Sequence, residues 1–221
     1  MDYFSGDMRL SLANLKITGK WIVFFICILL LSCACHSNLH YVRWVDDGDT
    51  IVLDNGLKVR YLGINAPEIA HHNRPGEPFG QEALKYNIKL VKGKRVRLET
   101  DIEKYDRYGR LLAYVFLKDG TFVNLEMVKA GYAYVLFLNP CLRYASKLLA
   151  AQRQAMLVHK NIWQVILKET CPYYKGNKRT HKFHRPDCPS VKDISPLNLV
   201  IFKTKWDAFF QGFSPCLRCR P

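Results

Sequence analysis

The stretch from Tyr41 to Ile64, YVRWVDDGDTIVLDNGLKVRYLGI, decides the fold. Short β-rich runs alternate in it with turn residues. Tyr41–Val45 is followed by the turn Asp46-Asp47-Gly48-Asp49, then Thr50–Leu53, the turn Asp54-Asn55-Gly56, and Leu57–Ile64. Asn-Gly between two such runs supplies the positive φ angles of a tight hairpin. Three successive strands are therefore predicted, the third ended by Pro67, which has no N–H to give to a ladder.

Working outward, residues 71–80 form a Pro/Gly-rich loop, and its His71 and His72 read as a solvated pair. Ala83, Leu84, Ile88 and Val91 have helical spacing over 81–91. Lys94–Thr100 alternates as a strand, Leu111–Leu117 reads as a more buried one, and 125–130 is a short helix closed by Gly131. A strand over 132–138 and a helix over 144–159 complete the region. Five or so strands with helices inserted among them predict a mainly β fold with helices (β+α), a five-stranded OB-type barrel. We assign it to 38–168, with a boundary near Lys168–Pro172 and a small α/β module over 171–221.

Residues 1–34 read as an address. Arg9, Lys16 and Lys20 precede the uncharged run Trp21–Ser32. As a helix those twelve residues rise only about 18 Å, short of a bilayer core. The segment therefore reads as a secretory signal. Leu30-Leu31-Ser32-Cys33 resembles a lipobox with Cys33 lipidated; cleavage after Ala34 and an uncleaved membrane anchor are the other two readings. All three place the rest of the chain outside the cytoplasm, held at a membrane or secreted.

Hydrophobic residues make up 49% and charged residues 24%, which excludes a disordered chain, and a single apolar run excludes a multi-span membrane protein. The net charge is +14. Residues 1–34 hold three basic and two acidic groups, so a surplus of 13 survives without them. That surplus calls for a polyanionic partner, DNA or RNA. An adaptor to anionic lipid rests on composition alone.

Four pieces of the barrel region share one chemistry. Asp47-Gly48-Asp49-Thr50 puts carboxylates on a tight turn, and Arg60 lies in the third predicted strand. Asn65-Ala66-Pro67-Glu68 follows it, and Asp106-Arg107-Tyr108-Gly109-Arg110 forms a second turn. Phosphodiester hydrolysis needs an activated water, charge compensation on phosphoryl oxygens and often a hard cation held by oxygen ligands. Asp49, Glu68, Arg60 and Arg110 supply that minimum.

In this order the motifs, closed by Asn161-Ile162-Trp163, resemble the staphylococcal nuclease (thermonuclease) family over 41–163. The resemblance implies Ca²⁺-dependent cleavage of DNA and RNA on an OB-type barrel. It implies Arg60 and Arg110 on the scissile phosphate and Glu68 as general base. The Ca²⁺ ligands would be Asp49, Asn65 and the backbone carbonyl of Ala66, with Tyr108 beside the bound nucleotide. The family usually carries aspartate where this chain has Asn65, so one negative charge is missing and weaker or altered metal binding is expected. The alternative is a non-catalytic nucleic-acid-binding protein of the same fold; the joint presence of Arg60, Glu68 and Arg110 favours the enzyme. The chain is expected to act as a monomer.

The module over 171–221 holds four of the eight cysteines and ten basic against three acidic residues. His184-x3-Cys188 and Cys216-x2-Cys219 have the spacing of a closed, structural Zn²⁺ site. Disulfides involving Cys171, and His181 as the competing imidazole, are the alternatives; Cys141 and Cys171 are left over. The module resembles the metal-binding domain of the Ada DNA-repair protein through Gly212–Cys219. There the first ligand is a methyl-accepting cysteine; His184 stands in its place, so that role does not carry over. What remains is a zinc-stabilised basic platform for nucleic acid.

Overall fold

The computed structural model describes residues 39–70, 75–141 and 143–221. The address segment with Cys33, and the pair His71 and His72, lie outside the described residues. Among the described residues no helix is long and apolar enough to cross a membrane.

The predicted barrel is present. Strands β1 (Leu39–Asp47), β2 (Thr50–Leu53), β3 (Lys58–Tyr61), β5 (Arg95–Glu99) and β6 (Leu111–Leu117) close in the order β1-β2-β3-β6-β5. The pair β3–β6 is parallel and the others are antiparallel. Irregular register in β1 turns Arg43 and Trp44 outward together, while Val42 and Val45 stay in the core.

Two predicted strands are shorter than the sequence pattern implied. The run 57–64 breaks at Leu62-Gly63, where Gly63 takes φ 80°, open to glycine at little cost. The chain then leaves β2 and β6, and β4 (Ile64–Asn65) pairs with β7 (Tyr134–Val135). The predicted 132–138 strand is reduced to that two-residue β7. Past it the Leu136 N–H goes to the Gly63 carbonyl and the chain turns through a bridge between Leu138 and Cys141. The helices fall as expected: α1 (Gly80–Val91), α2 (Val123–Lys129) and α3 (Ala145–Leu157), with Gly131 after α2 in the left-handed region.

The C-terminal sheet has the order β10-β8-β9-β11, from β8 (Tyr174–Asn177), β9 (Lys182–His184), β10 (Leu199–Phe202) and β11 (Ser214–Pro215). Helix α4 (Lys205–Phe210) starts on a capping box between Thr204 and Asp207.

The apolar side chains form two large clusters. One fills the barrel and the space beneath α1 and α2. The second joins Tyr134, Ala155, Met156, Ile162 and Trp163 to Tyr174, Phe183, Phe202, Phe209 and Phe213, and so crosses the boundary expected near 168–172. Burial of five aromatic rings from the C-terminal module, each worth roughly 2–3 kcal/mol, makes this joint a core rather than a linker.

Candidate nuclease site and candidate metal centre

The turn Gly48-Asp49 is pressed against β4's exit. A Cβ on Gly48 would lie 2.5 Å from the Ala66 Cβ, so only glycine allows this approach. The closeness puts the Asp49 carboxylate on the Ala66 N–H, with N···O 2.6 Å. Arg60, on β3, brings its guanidinium to 2.9 Å from the same carboxylate and donates to the Asn65 Oδ1 at 2.9 Å. Its other terminal nitrogen donates to the carbonyls of Tyr61 and Ile64, both at 2.9 Å. The Asn65 Nδ2 donates to the Ala66 carbonyl at 3.1 Å and to the Tyr134 hydroxyl at 3.0 Å. Asp49, Arg60, Asn65 and Ala66 thus form one hydrogen-bonded cluster.

Asp49 is 5% exposed. Burial pushes its carboxyl up to about 8, against the pull of Arg60, with Asp47 alongside adding to the rise. The surrounding donors, the Asn65 amide oxygen and the Ala66 carbonyl, are hard oxygens. This donor set fits a hard divalent cation such as Ca²⁺.

Arg110 leads into β6. Leu112 pairs with Arg60, so Arg110 precedes that level by two residues, about 7 Å along the strand. Its Nε holds Asp106 at 2.7 Å and its guanidinium lies 5.5 Å from the Tyr108 ring centroid. Tyr108 is 68% exposed, with Arg107 on the ring at 4.8 Å. Glu68 is exposed; its N–H donates to Glu77 Oε2 at 3.2 Å and its carbonyl accepts from the Glu77 N–H at 2.8 Å. The exposed Tyr108 ring and the half-buried Arg110 guanidinium beside it are residue types suited to a base and its phosphate.

The sulfur site is built by strand register. β9 and β11 run parallel with Pro215 opposite Phe183, and the Cys216 N–H donates to the Phe183 carbonyl, which sets His184 and Cys216 side by side. The ligand atoms of His184, Cys188, Cys216 and Cys219 all lie within 4.8 Å of one another, and all four residues are buried. The Cys188 sulfur is 3.5 Å from His184 Nδ1. Burial pushes the Cys219 thiol up to about 12 and the His184 imidazole down. Three soft sulfurs and one imidazole at this spacing fit tetrahedral Zn²⁺. His181 is elsewhere, edge-on to Phe137 at 4.8 Å. The five described cysteines are free, and Cys141 and Cys171 belong to different clusters, so neither disulfide alternative is formed.

Residues 58–165 match the family described as staphylococcal nuclease homologue, and residues 170–221 match the metal-binding domain of Ada. The thermonuclease of Staphylococcus hyicus is 40% identical over 136 residues, 60% of this chain and 79% of that protein. The thermonuclease of Staphylococcus intermedius is 39% identical over 128 residues, 57% and 76% of the two chains. The chain belongs to the staphylococcal nuclease family. By family it is a hydrolase of the nuclease class. Endonuclease YncB of Bacillus subtilis (strain 168) is 38% identical over 122 residues, 53% of this chain and 57% of that protein.

Beside the nuclease-family residues stand buried amides that the motif reading passed over. Asn87 accepts from the Tyr61 hydroxyl at 2.8 Å and donates to the Asp47 carbonyl at 2.9 Å, steadying the Asp47–Asp49 turn from α1. Asn124 spans the Leu62 carbonyl and the Val115 N–H. Gln152 accepts from the Val135 N–H and donates to the Phe209 carbonyl, both at 2.6 Å. A signal existed: Asn87 follows Ala83 and precedes Val91 by four, and Gln152 follows Leu148 by four, so each amide interrupts an apolar helix face.

Proposed function

We propose that this protein is an exported, Ca²⁺-dependent nuclease that hydrolyses phosphodiester bonds of DNA, RNA or both. The observation that carries the reading is the Arg60 guanidinium, shared at 2.9 Å between the Asp49 carboxylate and the Asn65 amide oxygen. It places a fixed positive group at the edge of an oxygen cluster suited to a hard cation. Asp49, Asn65 and the Ala66 carbonyl would hold Ca²⁺, which when bound supplies Lewis-acid stabilisation of phosphoryl charge.

The chain's own groups do the rest. Glu68 takes a proton from the attacking water as its oxygen bonds to phosphorus. Arg60 and Arg110 donate to the non-bridging oxygens, and their hydrogen bonds strengthen as charge builds. The bond from phosphorus to the leaving ester oxygen then breaks, and that oxygen takes up a proton from solvent. Tyr108 stacks on an adjacent base, a contact tolerant of sequence.

Zn²⁺ on His184, Cys188, Cys216 and Cys219 would be structural. The basic module would add phosphate contacts through exposed groups such as Lys178, Arg179 and Arg218. The run Trp21–Ser32 supports export, and Cys33 the lipid anchor.

The test is digestion of plasmid and single-stranded DNA and of RNA by the purified chain, with Ca²⁺, with a chelator, and with Glu68→Gln as control. Cleavage that needs Ca²⁺ and vanishes in Glu68→Gln supports the reading. Binding without cleavage in every metal tried would leave the non-catalytic alternative standing.

A further inference from the structure

Asn65 is held from outside the oxygen cluster as well as from within it. A carboxamide presents oxygen and nitrogen on nearly the same frame, so a flip would replace an ion-binding oxygen by an N–H. Its orientation must be set by partners. Arg60 donates to Oδ1, and the Ala66 carbonyl and the Tyr134 hydroxyl both accept from Nδ2.

Tyr134 is buried on β7, directly opposite Asn65 in the β4–β7 pair. Its ring meets Phe209 edge-on, with centroids 5.5 Å apart. Phe209 lies on α4 of the C-terminal module. Gln152 clamps the two backbones, taking the Val135 N–H and giving its own N–H to the Phe209 carbonyl. Phe209 in turn packs on Trp163 and on Phe183, each at 5.2 Å, and Phe183 precedes the candidate zinc ligand His184. A continuous line of packed rings therefore joins the sulfur cluster to the oxygen cluster.

We propose that Tyr134 is a positioning residue through which the C-terminal module keeps the Asn65 carboxamide turned with its oxygen toward the candidate ion site. This rests on the reading above that Asn65 is an ion ligand. The module is then a working part of the nuclease centre and not only a platform for nucleic acid. The physical warrant is a shared, close-packed core, which transmits a displacement because it has no slack.

The experiment uses the full chain with Tyr134→Phe, Phe209→Leu and the double variant. Tyr134→Phe removes one oxygen and keeps the ring. Three quantities are read: Ca²⁺ affinity by calorimetry, the Asn65 side-chain amide signals by ¹⁵N NMR, and the unfolding temperature. Tyr134→Phe is expected to weaken Ca²⁺ binding about tenfold, the size usual for a lost ligand-orienting partner. It should lower kcat, leave KM for DNA unchanged and move the Asn65 amide signals at a near-wild-type melting temperature. Phe209→Leu should move the same signals in the same direction, and the double variant should fall short of additive. If Phe209→Leu does not fold, removing zinc from the wild-type chain perturbs the module instead and should move the Asn65 signals. Asn65 signals that stay in place in Tyr134→Phe overturn the proposal. So do signals that respond to Tyr134→Phe but not to any perturbation of the module. A wild-type chain that neither binds Ca²⁺ nor cuts nucleic acid sinks the proposed function alone, because the amide comparison is read without metal.

Discussion

The two candidate ion sites are held in opposite ways. In the barrel, the Asp49 carboxylate already has Arg60 and the Ala66 N–H, and Asn65 is bonded at both ends of its amide. A core of more than twenty buried side chains stands behind it. In the C-terminal module, three cysteines and a histidine crowd within 4.8 Å, and the cluster around the cysteines adds only Val191. The barrel brings its own organic cation to its acid. Among the described residues the sulfurs have weaker partners, the Arg185 N–H on the Cys219 sulfur at 3.4 Å and the Lys182 charge near Cys216, so a bound ion would add most to the cohesion of the cluster itself. On the proposed function, the barrel site would tolerate an exchangeable ion because the protein holds its shape, whereas the sulfur site would be closed by its ion.

The contrast can be broken most forcefully at the sulfur site. Cys216→Ser with Cys219→Ser removes two of four ligands, and structural zinc in small modules contributes on the order of 10 kcal/mol. We expect zinc binding to vanish, residues 171–221 to become open to protease, and the melting temperature to fall steeply. A doubly substituted chain that melts like wild type means the module stands without metal.

At the barrel, Arg60→Ala leaves a buried carboxyl without its partner. The expected loss is about 3 kcal/mol, since a carboxyl already raised can escape part of the penalty by taking a proton. Urea unfolding measures this, and cleavage should drop at least about a hundredfold. Glu68→Gln separates chemistry from stability. Glu68 is exposed, so the melting temperature should hold while kcat falls by about 10²–10⁴. Equal losses of stability and rate would assign it a structural duty instead. Tyr108→Ala removes an exposed ring and should weaken binding of single-stranded substrate by about 1–3 kcal/mol without touching folding, read as KM in a cleavage titration. The smallest effect belongs to Asn65→Asp. Restoring the missing charge should tighten Ca²⁺ about tenfold by calorimetry, offset in part by losing the N–H that serves Ala66 and Tyr134.

Much of the barrel was legible because it rests on local chemistry. Asn55-Gly56 marks a hairpin by backbone preference alone, and the alternation of Val96 and Leu98 marks a face. The break at Gly63 was not legible. Val59 to Ile64 reads as a continuous strand, and only the competition between β6 and β7 for pairing partners ends it. The same holds for β7, whose apolar flanks from Tyr132 to Leu138 go to packing and turns rather than to a ladder. At the site, Asp49, Arg60, Asn65 and Ala66 were read from motifs and meet in space. Tyr134, Gln152 and Phe209 belong to no motif. Their role depends on contacts 17 to 75 residues apart, which periodicity cannot reveal.

The core shared across residues 134–213 also sets a timetable for biosynthesis. Every barrel strand has been made by the time Tyr134 is polymerised, yet Phe209 follows 75 residues later. At ordinary ribosomal speeds that is a wait of about 4–15 s. Until Phe209 is made, the Tyr134 ring lacks its edge-on partner, so the proposed setting of the Asn65 amide waits on the C-terminal module.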